Sequence, residues 1–139
     1  TRCRQLAEYI IFDSPLNMLC DAPTNYLKEE ECTKFITSIP TVWDETLSLN
    51  GKVSEYLAMA RKKDNVWYVG ALTNWEARDM ELDLSFLGEG EYQAEIFEDG
   101  INADRVGKDY KRKLIYLPAD KKLRIHMASG GGFIMKVQK

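Results

Sequence analysis

From Met80 to Phe86 the chain alternates strictly, with Met80, Leu82, Leu84 and Phe86 apolar and Glu81, Asp83 and Ser85 polar. Successive side chains on a strand point to opposite faces, so this pattern predicts a strand with one buried face. Shorter segments of the same kind surround it. Asn50-Gly51, flanked by Leu47, Leu49 and Val53, predicts a tight hairpin turn, with a following strand from Val53 to Arg61. The polar patch Lys62–Asn65 then turns the chain into the apolar run Val66–Leu72, suited to a central strand. Further strands are expected at Tyr92–Glu98, Leu114–Leu117, Leu123–Met127 and Phe133–Val137, separated by glycine, proline and acidic turn residues. Seven or eight short strands with no helix between them predict an antiparallel β-sandwich or barrel.

Before Ser38 the periodicity is different. Cys3, Leu6, Ala7, Ile10 and Ile11 fall at helical intervals, so Arg2–Phe12 is expected to be a helix, one that starts without a capping residue. Asp13-Ser14-Pro15 ends it. Leu16–Cys20 fits either a buried strand or one helical turn, Asp21–Thr24 reads as a loop, and Lys28–Ile36 reads as a second helix with glutamates in its first turn. These elements are too few to close a core of their own, which is the texture of the end of an α/β domain. Ser38–Leu49 is the seam between the two textures. The expected division is residues 1–45 as a remnant of an α/β domain cut from something longer and residues 46–139 as a β-sandwich.

Composition narrows the function classes. With 19 basic and 22 acidic residues among 139, the net charge of −3 offers no general attraction to nucleic acid or anionic lipid. No run approaches the ~20 apolar residues of a membrane-spanning helix. Cys3, Cys20 and Cys32 have neither disulfide-scaffold nor zinc-site spacing, and they read as ordinary buried thiols.

Candidate chemistry is sparse. Asp44 and Glu45 form an acidic pair, but neighbours on an extended segment point to opposite faces and cannot flank one glycosidic bond. Trp43 beside them fits a packing anchor at the seam better than a sugar platform. His126, the single histidine, has no metal-ligating neighbour, and Ser54, Ser85 and Ser129 lack a nucleophile motif. Asp99, Asp104 and Asp109 lack calcium-loop spacing and read as surface charges. Gly130-Gly131-Gly132 reads as a flexible connection between strands. Trp67, Tyr68, Trp75 and Tyr92 could line a sugar-binding face, which leaves a carbohydrate-binding module as the alternative function. Strand aromatics more often fill a core.

Three segments in order, Ser14–Tyr26 (SPLNMLCDAPTNY), Ile39–Thr46 (IPTVWDET) and Trp67–Trp75 (WYVGALTNW), resemble the C-terminal end of glycoside hydrolase family 97, bacterial α-glucosidases and α-galactosidases. The resemblance implies an N-terminal β-sandwich, a central (β/α)8 barrel with the catalytic carboxylates and a calcium ion, and a C-terminal β-sandwich. On that basis residues 1–45 are the terminal elements of the barrel, with Leu16–Cys20 as its eighth strand, and residues 46–139 are the C-terminal sandwich. It also implies that this chain holds no catalytic residue, metal site or cofactor of its own. Asp21, Thr24, Trp43 and Asp44 are then the substrate-side candidates, Asp21 and Thr24 because they follow the last barrel strand, where barrel active sites lie. The implied partners are the chain's own barrel and N-terminal domain and an oligosaccharide substrate of the whole enzyme. The first 38 residues, cut from their barrel, are expected to expose apolar surface that either packs on the sandwich or pairs with a second copy as a homodimer. The implied location is periplasmic or exported.

Overall fold

The computed structural model describes all of residues 1–139 and contains three helices and eight strands. Six strands form one antiparallel sheet in the order β1 (Glu45–Lys52), β2 (Tyr56–Lys63), β3 (Val66–Thr73), β8 (Gly132–Gln138), β5 (Gln93–Asp99) and β6 (Tyr110–Tyr116). The other two, β4 (Arg78–Asp83) and β7 (Lys122–Met127), pair antiparallel as a second, smaller sheet. A short 3-10 turn at Ser85–Leu87 follows β4. The expected β-sandwich is therefore present, with two unequal leaves.

The period of two on the central strands explains how a third layer is added. Trp67, Val69 and Ala71 of β3 and Phe133, Met135 and Val137 of β8 face the small sheet, and with Leu82, Ile125 and Met127 they form the larger core. The alternate residues Tyr68, Leu72 and Ile134 face the other way. They meet Cys3, Leu6, Ala7, Ile10 and Ile11 of α1 (Arg2–Ile11) and Cys32 and Phe35 of α3 (Glu30–Thr37). A central strand buried on both faces reads as a continuous apolar run, as Val66–Leu72 does. The result is helices, six-stranded sheet and two-stranded sheet in three layers.

Several local expectations differ from the structure. The helix at Arg2 is capped after all, since the Thr1 hydroxyl accepts from the Arg4 N–H at 3.1 Å. Leu16–Cys20 is neither strand nor helix: no strand lies beside it to share a ladder, and Leu16 is 74% exposed. The expected loop after Asp21 winds into α2 (Pro23–Lys28), helped by a proline in its first turn. Asn50-Gly51 does not turn the chain. Both stay within β1 beside a register shift between Ser48 and Asn50, and the reversal falls at Val53–Glu55, where Ser54 takes φ 66°. The turn expected over Lys62–Asn65 is tighter in the structure: Lys62 and Lys63 belong to β2, and the connection to β3 is two residues, with Asp64 at φ 52°.

Candidate functional site

Asp21 sits at the head of α2 and is used locally. Its Oδ1 accepts from the Asn25 Nδ2 at 2.8 Å and from the Ala22 N–H at 2.7 Å, and its own N–H donates to the Tyr26 hydroxyl at 3.1 Å. The hydrogen bond from Asn25, aided by the one from Ala22, holds its carboxyl below the ordinary aspartate range. Thr24 lies in α2 with its side chain in solvent. Asp21 lines a cleft of about 520 Å³ between α1 and the 17–26 segment, shared with Arg2, Gln5, Glu8, Tyr9 and Asn17.

Trp43 and Asp44 lie elsewhere, at the end of α1 marked by Ile11 and Asp13. The Arg61 guanidinium, buried on β2, donates to the Ile11 carbonyl at 3.3 Å and to the Asp13 carboxylate at 3.1 Å. It also lies 5.8 Å from the centre of the Trp43 ring. Trp43 meets Tyr68 edge-to-face at 5.3 Å between centroids, and the Tyr68 hydroxyl donates to the Ser38 carbonyl. Trp43 thus anchors the seam to the sheet. Asp44 closes the β2–β3 hairpin, accepting from the Lys63 ammonium and from the Asp64 N–H, both at 2.8 Å. The Lys63 hydrogen bond, seconded by that of Asp64, depresses its pKa. Neither Trp43 nor Asp44 lines the cleft that holds Asp21, so the four candidates form two separate groups, each engaged in local structure.

Two residues that carry more weight in the structure were misread from sequence. Asp99 is no surface charge. It is buried at the end of β5, where Oδ2 accepts from the N–H groups of both Ala128 and Gly132 at 3.0 Å, and a Cβ on Gly131 would collide with it. The triple glycine is therefore a clamped turn and not a loose connection. Cys3 lies against the same carboxylate, and burial, reinforced by Asp99, pushes its thiol far above the ordinary range. No sequence signal separates Asp99 from Asp104; only the fold brings the β7–β8 turn to it.

Trp75 is the second. Trp67, Tyr68 and Tyr92 are buried as strand aromatics should be, but Trp75 is 86% exposed. The expected burial of all three thiols also fails for Cys20, which is exposed because the 16–20 segment runs over the surface. His126 faces solvent with Nδ1 at 2.6 Å from the Asp79 carboxylate. No group of three His, Cys, Asp or Glu side chains is arranged to hold a metal ion, and no helix is long and apolar enough to cross a membrane.

The fold is a three-layer β-sandwich module in which Asp21, Asp44 and Asp99 are each hydrogen-bonded within the chain. The family described as "Glycosyl-hydrolase 97 C-terminal, oligomerisation" matches residues 42–138. The chain belongs to this family, the C-terminal region of glycoside hydrolase family 97. A curated relative, the retaining alpha-galactosidase of Bacteroides thetaiotaomicron, is 56% identical over 138 residues, which is 99% of this chain and 21% of the relative. Among solved structures, a family 97 enzyme from Pseudoalteromonas sp. strain K8 in complex with panose superposes with a TM-score of 0.92 at 34% identity, covering 98% of this chain and 22% of that one. A beta-arabinopyranosidase shares the fold, with a TM-score of 0.82 at 23% identity over 96% of this chain and 20% of that one. This chain thus spans about a fifth of the length of the relatives it matches.

Proposed function

We propose that this chain is the non-catalytic C-terminal portion of a bacterial α-glycosidase, of the retaining α-galactosidase type, that supports the catalytic barrel and mediates domain or subunit contacts. The observation that carries this reading is the 56% identity to a retaining alpha-galactosidase across nearly the whole chain. Residues 1–45 are read as the closing elements of the barrel and residues 46–139 as the accessory sandwich. In favour of that division, all strands of the large sheet begin at or after Glu45, the boundary residue, and everything before it is helical or irregular. A barrel helix needs an apolar stripe toward its own strands as well as toward any neighbour. Phe12, Leu16, Met18, Leu19 and Leu27, all exposed on the first 27 residues, supply apolar surface for the rest of the barrel to cover.

The catalytic carboxylates and calcium ion of the parent enzyme belong to the part of the barrel before this chain in this reading, and the parent is periplasmic or exported. Asp21 remains the substrate-side candidate with a cleft beside it. The carbohydrate-binding alternative loses support, because three of its four proposed aromatics are buried.

The test compares this chain with the full-length enzyme on nitrophenyl α-galactoside and α-glucoside, with calcium and with a chelator. Full-length enzyme is expected to prefer the galactoside, release the product with retained configuration and lose activity with the chelator. This chain alone is expected to give no turnover, and turnover by it would refute the non-catalytic reading. Fractionation of cells making the full-length protein tests its location, and activity confined to the cytoplasm would refute export.

A further inference from the structure

Trp75 is held by its backbone, while its indole is offered to solvent. The Ser129 hydroxyl donates to the Trp75 carbonyl, and the Gly130 N–H donates to the Asn74 carbonyl at 2.7 Å. Asn74 in turn donates its N–H to the Glu55 carbonyl at 2.7 Å and its Nδ2 to the Ser54 carbonyl at 3.4 Å. Three turns are thereby laced together at one end of the sandwich: Val53–Glu55, Asn74–Trp75 and Ser129–Gly130.

The indole lies against Gly130. A Cβ built there would stand 3.1 Å from the ring's Cζ3, and Gly130 already takes φ 63°, so this position suits glycine on both counts. Trp75 is 86% exposed and Val53, on the adjoining turn, is 93% exposed. The charges around them are already paired: Arg78 with Glu55 and Glu76, and Glu55 also with Lys52. The patch is thus apolar, pre-organised and bordered by neutralised charge.

That is the anatomy of an interface anchor, since a few central aromatics ringed by near-neutral contacts carry most of the energy of a protein–protein contact. A sugar platform would instead need free hydrogen-bonding groups beside the ring. Here the Ser129 hydroxyl and the Asn74 amide are already engaged within the fold. The segment lies within the 42–138 region that matches the family's oligomerisation description. On the proposed reading that this region mediates subunit contacts, we infer that the Trp75–Val53 end of the sandwich seats on a second copy of this chain. A self-complementary two-fold contact then places Trp75 of each copy in the same interface.

The comparison edge is different in kind. On β6, Leu114 and Tyr116 are also exposed, but they lie on an edge strand whose Lys111, Arg112 and Lys113 line the edge with charge, which keeps sheet edges from pairing even though Arg112 and Lys113 have carboxylate partners within the chain. Tyr116→Ala is therefore the matched control for Trp75→Ala.

Sedimentation velocity over a hundredfold concentration range, on the full-length enzyme and on this chain, tests the inference. The unsubstituted protein is expected to self-associate, Trp75→Ala to weaken association by about 30-fold or more, and Tyr116→Ala to leave it unchanged. Circular dichroism should stay the same for Trp75→Ala, because the indole removed is largely in solvent, and its thermal midpoint should match that of the unsubstituted protein at concentrations where both are monomeric. Self-association unaffected by Trp75→Ala overturns the inference and leaves the subunit-contact reading standing. A strictly monomeric unsubstituted protein overturns both. A saturable Trp fluorescence change on titrating galacto- or malto-oligosaccharides, lost in Trp75→Ala while association persists, overturns it in favour of a sugar site.

Discussion

Gly70 of β3 lies directly beneath Ile10 of α1: a Cβ built on the glycine would stand 3.0 Å from the Ile10 Cβ and 3.1 Å from the Ala7 carbonyl oxygen. The helix can approach the sheet this closely because the strand has no side chain there. Both sides of the contact are fixed, since Gly70 is in the middle of a central strand and Ile10 is fully buried. Gly70→Val is expected to lift α1 from the sheet and cost about 1–3 kcal/mol by overpacking. Urea denaturation measures the loss. Hydrogen exchange should show it concentrated in α1, and an unchanged urea midpoint would contradict the close approach.

The Asp99 clamp gives a second expectation. Asp99→Ala leaves the Ala128 and Gly132 N–H groups without their acceptor in a buried site, at an expected cost of about 3 kcal/mol. Asp99→Asn keeps an acceptor oxygen of the same reach and should recover part of that stability. Equal destabilisation by the two substitutions would mean that shape, not hydrogen bonding, holds the turn.

Thiol chemistry separates the three cysteines. Cys20 is exposed, whereas Cys3 and Cys32 are buried, and burial pushes both of their thiols above the ordinary range. The nucleophile is the thiolate, so a thiol reagent at pH 8 is expected to label Cys20 promptly and the other two only after denaturation. Prompt labelling of Cys3 would show that α1 leaves the sheet readily.

The Asp44–Lys63 pair predicts a pH window. Asp44 is depressed by the Lys63 hydrogen bond, and Lys63 is raised by the same bond. The aspartate's contribution is present above its unfolded pKa and is lost as pH falls through its lower folded value. The lysine's contribution is present below its unfolded pKa and is lost as pH rises through its higher folded value. Stability from the pair is thus complete between about pH 5 and pH 9 and declines outside those limits. Asp44→Asn should flatten the acid limb of a plot of urea midpoint against pH, and an unchanged limb would remove the pair from the account.

The sheet was readable from sequence wherever one rule governed a segment. The Val66–Leu72 run forms a strand throughout, and the Met80–Phe86 alternation does so as far as Asp83, beyond which Ser85–Leu87 wind into a 3-10 turn; one-face and two-face burial leave different patterns. The reading failed where a local signal met a tertiary contact. Asn50-Gly51 is a strong turn pair, yet pairing with Leu57 and Ala58 holds it in β1 and moves the turn on by a few residues. Asp99 and Trp75 illustrate the same limit from opposite sides. An aspartate becomes buried because a distant turn delivers two N–H donors, and a tryptophan stays exposed because a glycine from another turn occupies the place behind it. Trp43 was legible as an anchor, but its partners Tyr68 and Arg61 were not, since nothing in a sequence states which faces meet.

The position of β8 governs the order in which this module can be assembled. β8, which the ribosome makes after the other seven strands, lies between β3 and β5, joining them along a ladder on either side. Until it emerges, β1–β3 and β5–β6 are two unconnected hairpin assemblies, each with an apolar flank open to the cell's other nascent chains. Gly132–Gln138 complete the large sheet, so a stop codon just before Gly132 would remove its middle and not its margin.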